Sequence, residues 1–251
     1  MRRFLTLFSR EIGRSLGQPL AWVVLAFFLL LTGVNFQAGV TAMNREPGVT
    51  SAVEAFFNSL LFWFPFLLCF PLLTMRLFSE EYKLGTIETL MTAPVRDGEV
   101  VLAKFFGALV FFAVLWLPSL LYFAVFQWVS GQPAADAAGS FLGAYTMVFL
   151  AGSFYLSLGC LASALTDNQI VAGVSAGVLC FMMFFLGLLW FFFPGTSPLL
   201  RTMAYYVSTI EHMGDFSRGI FDSRPVIFYL SLTAFFLFLT YHALQHRRWK
   251  S

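Results

Sequence analysis

Charge is what this sequence has least of. Of its 251 residues only 11% are Asp, Glu, Lys or Arg, while 59% are hydrophobic and 19% aromatic, with a mean hydropathy of +0.79. A soluble domain of this size carries more than twice that charged fraction, so the chain is read as an integral membrane protein. The net charge of +2 implies no nucleic-acid partner. Cysteine is also scarce. Cys69, Cys160 and Cys180 lie in apolar segments without ligand spacing, which predicts small buried hydrophobes and no disulfide framework.

Two further absences exclude whole classes of chemistry. The dipeptide Gly-Lys occurs nowhere, so a G-x-x-x-x-G-K-[ST] phosphate loop cannot be present and the chain does not hydrolyse ATP by that route. The long apolar runs contain essentially no carboxylates or histidines. Their polar residues are Asn35, Gln37, Asn58 and scattered Ser and Thr. Intramembrane catalysis is therefore disfavoured, as is energy coupling through midplane ionisable groups of the kind that proton- or sodium-driven carriers use. The 33 Phe residues suit either an apolar or amphiphilic passenger or plain lipid-facing surface. Glu211, His212 and Asp215 offer metal-ligand types without the i, i+4 spacing of a helical zinc site, so a capping or packing role is expected. His242 and His246 do have that spacing, but beside Arg247 and Arg248 they read as an interfacial anchor.

What is there is a set of six apolar runs at roughly 20–41, 55–76, 101–128, 139–165, 169–193 and 225–244, each long enough to cross about 30 Å of hydrocarbon. Pro65, Pro71 and Pro118 predict kinks. Residues 2–18 form an amphipathic helix candidate. Phe4, Leu5, Phe8, Ile12 and Leu16 share one arc, Arg2, Arg3, Arg10 and Arg14 share the opposite one, and Leu7 breaks the pattern. Such a helix lies in the interface of an anionic leaflet, and a signal peptide is not expected because the apolar run that follows is too long. With the N-terminus inside, 11 Lys and Arg fall on the cytoplasmic side and 4 outside, which predicts both termini inside. The basic tail with Arg247 and Arg248 then anchors the inner interface. Spans four and five, joined by Thr166, Asp167 and Asn168, must form an antiparallel hairpin. Gly139-x-x-x-Gly143 and Gly173-x-x-x-Gly177 permit close helix packing, within the chain or between subunits. The outer loop 194–224 is predicted to hold short interfacial or re-entrant helices.

The stretch that organises the rest is Leu73–Lys104. It is a charged elbow between spans two and three, running over 77–98 and carrying Glu80, Glu81, Lys83 and Glu88 among its charges. Leu84, Ile87, Leu90 and Met91 fall at helical spacing. Gly85 suits a left-handed helix end, Thr86 can cap the next helix with Glu88 near its positive end, and Pro94 stops it.

The run Glu81-x-x-x-Gly85-Thr86-x-Glu88-x-Leu90-x-x-x-Pro94, followed by a span opening on Lys104, resembles the signature of ABC-2-type transporter permeases. His212-Met-Gly-Asp-Phe-Ser-Arg-Gly219 before the last span, with the basic tail after it, resembles that family too, most nearly its gliding-motility-associated subfamily. The resemblance covers essentially the whole chain. It implies an all-α polytopic fold forming a single transmembrane domain of six spans, an N-terminal interfacial helix, a cytoplasmic coupling helix and short re-entrant helices before span six. It further implies an exporter built from two permease subunits, alike or paralogous, and two cytoplasmic ATPase subunits. ATP and Mg would be bound in the ATPase, with no cofactor in this chain and no enzymatic activity of its own. Gliding-type systems often add a membrane protein with a large extracytoplasmic domain. On this mapping Glu80, Glu81, Gly85, Thr86, Glu88, Leu90 and Pro94 form the ATPase-coupling element. Glu211, His212, Phe216 and Gly219 cap the outer end of the path, and spans one, two and five line the subunit interface. The location implied is the bacterial inner membrane. A non-transporting scaffold whose elbow docks a cytoplasmic protein is the alternative. With Glu81 and Glu88 taken as exposed contacts, Gly85→Val is expected to uncouple more severely than reversal of either charge.

Overall fold

The computed structural model describes residues 2–45, 51–86, 96–135, 138–192 and 198–248. Among the described residues the chain is helical and has no strand. Six helices are long and apolar enough to cross a membrane: Pro19–Arg45, Leu60–Lys83, Asp97–Ser130, Ala138–Ala164, Gln169–Leu189 and Ser223–Arg247. The protein is an all-α polytopic membrane protein.

The first helix, α1 (Arg2–Gly17), precedes the first spanning helix, α2 (Pro19–Arg45). The second span begins later than the expected 55. A short α3 (Ala52–Phe57) ends at Asn58, and α4 (Leu60–Thr74) starts afresh. The cause is a pair of polar residues with tertiary partners. Ser59 caps α4 by accepting the Phe62 N–H at 3.1 Å and also donates to Asn35 on α2. Asn58 donates to Ser217 at 3.0 Å. Hydropathy could not show this break, because apolar residues continue on both sides of it.

Past the short α5 (Ser79–Lys83), α6 (Asp97–Ser130) runs four residues earlier than expected. Its start is fixed by Glu99, whose carboxylate accepts the Arg96 N–H at 3.0 Å, half of a capping box. Then come α7 (Ala138–Ala164) and α8 (Gln169–Phe192), the hairpin, with Asn168 accepting the Ile170 N–H at 2.9 Å at its turn. The loop before the last span holds α9 (Pro198–Val207) and α10 (Thr209–Ser217), and α11 (Ser223–Arg248) is the last span.

Helix α7 is the centre of the bundle, the most buried of the spans. Its small residues let neighbours come close. A Cβ at Gly143 would lie 2.2 Å from the Phe216 carbonyl oxygen, and one at Gly152 would lie 2.4 Å from the Phe112 ring. Gly139 faces Gly219, while Gly173 and Gly177 face Met75 and Pro71. Both glycine pairs thus have packing partners within the chain. Around α7 a ladder of rings fills the interior, with Phe56–Phe57 centroids at 4.9 Å, Phe66–Phe70 at 5.0 Å and Phe28–Trp116 at 5.1 Å, mostly edge to face. Much of the Phe content is therefore core, neither lipid surface nor a passenger lining. The three cysteines are free and buried.

Candidate functional site

At one end of the bundle α1, α5 and α6 meet, and the elbow is built there from its backbone outward. The first N–H groups of a helix lack internal partners. Here Ser163 on α7 accepts those of Phe78 at 3.0 Å and Ser79 at 3.2 Å, which pins the start of α5 to the central helix. The helix closes with Leu84 N–H donating to the Glu80 carbonyl at 3.0 Å. Gly85 then takes φ +68°, a value that residues with a Cβ resist. The Thr86 hydroxyl turns back onto the Glu81 carbonyl at 3.4 Å. Lys83, Leu84, Gly85 and Thr86 form an exposed tip. Glu88, Leu90 and Pro94 lie outside the described residues, as does the expected helix after Gly85.

Behind the tip lies a buried charge cluster. Lys104, on α6, is only 1% exposed. Its ammonium sits 2.8 Å from Glu81 Oε1 and 3.2 Å from Glu11 Oε1, and 5.4 Å from the centroid of the Phe78 ring. Arg14 of α1 bridges Glu80 at 2.8 Å and Glu81 at 3.3 Å. Two cations and three carboxylates from three elements thus share one junction. Glu81 Oε2 is buried without a hydrogen bond among the described residues. Beside the cluster, Arg76 lines a cavity of about 60 Å³ together with Glu11, Arg14, Gln18 and Glu80.

This geometry corrects one expectation. Glu81 is 8% exposed and turned inward, so it is no free surface contact for a soluble partner, and its reversal would place a third cation against Lys104 and Arg14. The premise that Glu81 is an exposed contact does not hold, so a Glu81 reversal carries a burial cost that an exposed charge pair does not. Sequence reading missed Glu11 as a site residue and did not pair Lys104 with anything. The available signal was that Glu11 is the one acidic residue in a helix otherwise charged only by arginine. Leu7, which broke the amphipathic arc, packs with Leu16 on the protein core. Leu7, Glu11 and Arg14 form a second, protein-facing stripe, and Glu11 approaches α6 closely enough that a Cβ on Gly107 would sit 3.0 Å from its own.

Of the expected membrane anchors, Arg10 is exposed, while Arg2, Arg3 and Arg248 fall at the ends of α1 and α11. Arg14 is engaged in the cluster. Arg247 is engaged as well. It pairs with Asp167 at the hairpin turn, donates to the Leu165 carbonyl at 2.6 Å and lies 4.5 Å from the Tyr82 ring centroid. The C-terminal helix is thereby tied to the elbow.

At the opposite end α10 is capped by Ser208, which accepts the Glu211 N–H at 3.4 Å. It ends in a Schellman motif, with Gly219 at φ +82° and Ile220 N–H donating to the Asp215 carbonyl at 3.0 Å. Phe216 is fully buried. His212 is 4% exposed, and its Nδ1 lies 3.1 Å from the Tyr229 hydroxyl. Burial pushes the His212 imidazole below its ordinary pKa, against the opposing pull of Asp215 and Asp222. Among the described residues no group of three or more His, Cys, Asp and Glu is placed to hold a metal ion. Asp215 instead accepts from the Tyr205 hydroxyl at 3.1 Å.

The profile of the family described as ABC-2 family transporter protein matches residues 5–246. No curated protein matches the sequence.

Proposed function

Since the chain belongs to the ABC-2 family of transporter proteins, a family of multi-pass membrane subunits, we propose that it is the permease of an exporter driven by a separate cytoplasmic ABC ATPase. The observation that carries this reading is the buried Glu81–Lys104 junction set directly behind an exposed elbow tip, in a chain that spans the membrane and has no phosphate loop of its own. A soluble motor can move membrane helices only through a stiff contact. Lys83, Leu84, Gly85 and Thr86 offer the surface to grip. The ion pairs of Glu80, Glu81, Arg14, Lys104 and Glu11 join that surface to α1 and α6, so a push on the tip moves three elements together. ATP and Mg belong to the partner subunit. The finer assignments follow from the same reading. Both termini are cytoplasmic, as the 11 to 4 split of Lys and Arg favours, two bundles make one transporter, and the resemblance of the 212–219 run points to a gliding-type system.

The test is to co-express the chain with its cognate ATPase and purify the assembly through a tag on the permease. ATPase turnover in proteoliposomes should exceed that of the isolated motor. A stable complex whose turnover never differs from that of the free ATPase would favour the scaffold reading.

A further inference from the structure

The corner formed by α9, α10 and the start of α11 borders an open cavity of about 310 Å³, lined by Tyr205, Tyr206, His212, Asp215, Asp222 and Arg224 among others. Its volume falls at the lower end of small-ligand sites. Its charges are arranged without satisfying one another. The Arg224 guanidinium pairs with neither carboxylate and reaches the Tyr206 hydroxyl at 3.4 Å. Asp222 Oδ1 accepts the Arg224 backbone N–H at 2.9 Å, and Asp215 accepts from Tyr205. Each aspartate therefore has one engaged oxygen and one without a hydrogen bond among the described residues. His212 is nine-tenths buried. Its Nδ1 is taken by Tyr229 and its Nε2 has no hydrogen bond among the described residues. The local field is negative: Asp215, Glu211 and Asp222 all add to burial in raising the Tyr205 phenol.

We propose that this cavity binds the headgroup of an amine-bearing zwitterionic phospholipid, with the ammonium between Asp215, Asp222 and the tyrosine rings and the phosphate on Arg224. The composition selects this class. Two carboxylates and two half-exposed phenol faces suit an organic cation. A purely anionic headgroup would meet two like charges for one arginine, and a simple amine would leave Arg224 unmatched. The apolar surroundings suit a lipid over a free solute. Met203 on α9, Phe221 in the link between α10 and α11, and Ile227 on α11 are all more than half exposed, so acyl chains leaving the cavity would meet apolar side chains. The inference does not depend on transport, because it concerns equilibrium binding to the isolated permease.

The experiment is native mass spectrometry of the purified full chain in detergent, titrated with dioleoyl phosphatidylethanolamine, with dioleoyl phosphatidylglycerol, and with free phosphoethanolamine as competitor. Phosphatidylethanolamine should be retained about tenfold better than phosphatidylglycerol. That preference should fall to near parity in Asp215→Asn and Asp222→Asn, whereas Arg224→Gln, which removes the contact to the phosphate that both lipids share, should weaken retention of both. The two asparagine variants keep an oxygen for Tyr205 and for the α11 cap, and Tyr206→Leu provides a variant that leaves every charge in place and should also weaken retention. Equal retention of the two lipids would overturn the proposal. So would a preference that both aspartate variants preserve, or retention that Arg224→Gln and Tyr206→Leu leave unchanged, at unchanged helix content. Displacement of the lipid by an equal concentration of phosphoethanolamine would overturn the lipid assignment.

Discussion

At the scale of single residues, Glu81 and Gly85 do different work four positions apart. Glu81 compensates a buried ammonium. Removing one partner of a buried pair typically costs about 3–5 kcal/mol because the other charge is stranded; Glu11, still 3.2 Å from Lys104, should hold the loss of Glu81→Gln near or below the lower figure. Glu81→Lys should be worse, since it sets three cations together. The double change Glu81→Gln with Lys104→Met should recover part of the loss, and thermal unfolding of the four proteins in detergent measures the coupling as a double-mutant cycle. Independent, additive losses would show that the pair contributes nothing as a pair. Gly85 has open space around its absent Cβ, so its constraint is backbone alone. Gly85→Val should cost about 1–2 kcal/mol locally while leaving the charge cluster intact. The variant should therefore still fold and assemble, with a smaller loss of stability than Glu81→Lys, and ATPase stimulation in the assembled complex should fall. Unaltered stimulation at matched subunit content would remove the tip from the coupling route.

The elements show which features the sequence could and could not disclose. Six spans, the hairpin and short helices in the outer loop were legible because hydropathy over twenty residues is a strong signal and the 166–168 turn leaves no alternative. The left-handed Gly85 was legible because few residue types tolerate that φ. The break between α3 and α4 was not, because it rests on Asn58 finding Ser217 across 159 positions. Likewise the inward face of α1 was hidden by its outward one. A helix that touches both membrane and protein carries two stripes, and the arginine arc dominated the reading. The most testable element is α10. His212 is packed against Tyr229 and faces Asp215, Asp222 and, across the cavity, Tyr205 and Arg224. Its folded-state pKa lies below the ordinary value of 6.5, so between the two values the unfolded chain binds more protons. The contribution of His212 to stability is thus full above about 6.5 and is lost as pH falls below it toward the folded value. Hydrogen exchange along 209–217 should quicken as pH falls below about 6.5, beyond the intrinsic pH trend, and His212→Gln should flatten that dependence. Protection that follows the intrinsic trend in the wild type would show that His212 does not titrate with the cap.

For the whole molecule the question is which apolar faces meet lipid and which meet a second bundle. Exposure alone cannot decide, since a lipid-facing helix and an unpartnered interface are equally apolar. Trp22, Phe27 and Leu30 on α2, Val174 and Val178 on α8, and Leu230 and Phe235 on α11 are all exposed. Polarity separates them. Toward its C-terminal end α2 presents Gln37, Thr41 and Arg45 with Ala38 and Ala42 along an open depression, and an exposed glutamine within a span is disfavoured against hydrocarbon, where nothing can hydrogen-bond it. Along α11 the exposed Ile227, Leu230, Phe235 and Phe238 are apolar, the exposed Ser231 hydroxyl is satisfied by the Phe228 carbonyl at 2.9 Å, and the exposed His242 and His246 lie near the C-terminal end of the helix. That contrast supports α2 as a face toward a partner bundle or a water-lined path, and α11 as a lipid face. A dimer about a near two-fold axis then brings α2 to the neighbour, with α8 alongside by family analogy. In a background where Cys69, Cys160 and Cys180 are replaced by alanine, single cysteines at Phe27, Leu30 and Val178 should crosslink between copies in native membranes, and cysteines at Leu230 and Phe235 should not. Since the three native cysteines are buried and free, their replacement should leave the outer faces unchanged. Crosslinking through α11 with silence at α2 would place the interface on the opposite side of the bundle and would make the polar strip on α2 part of a single-chain path.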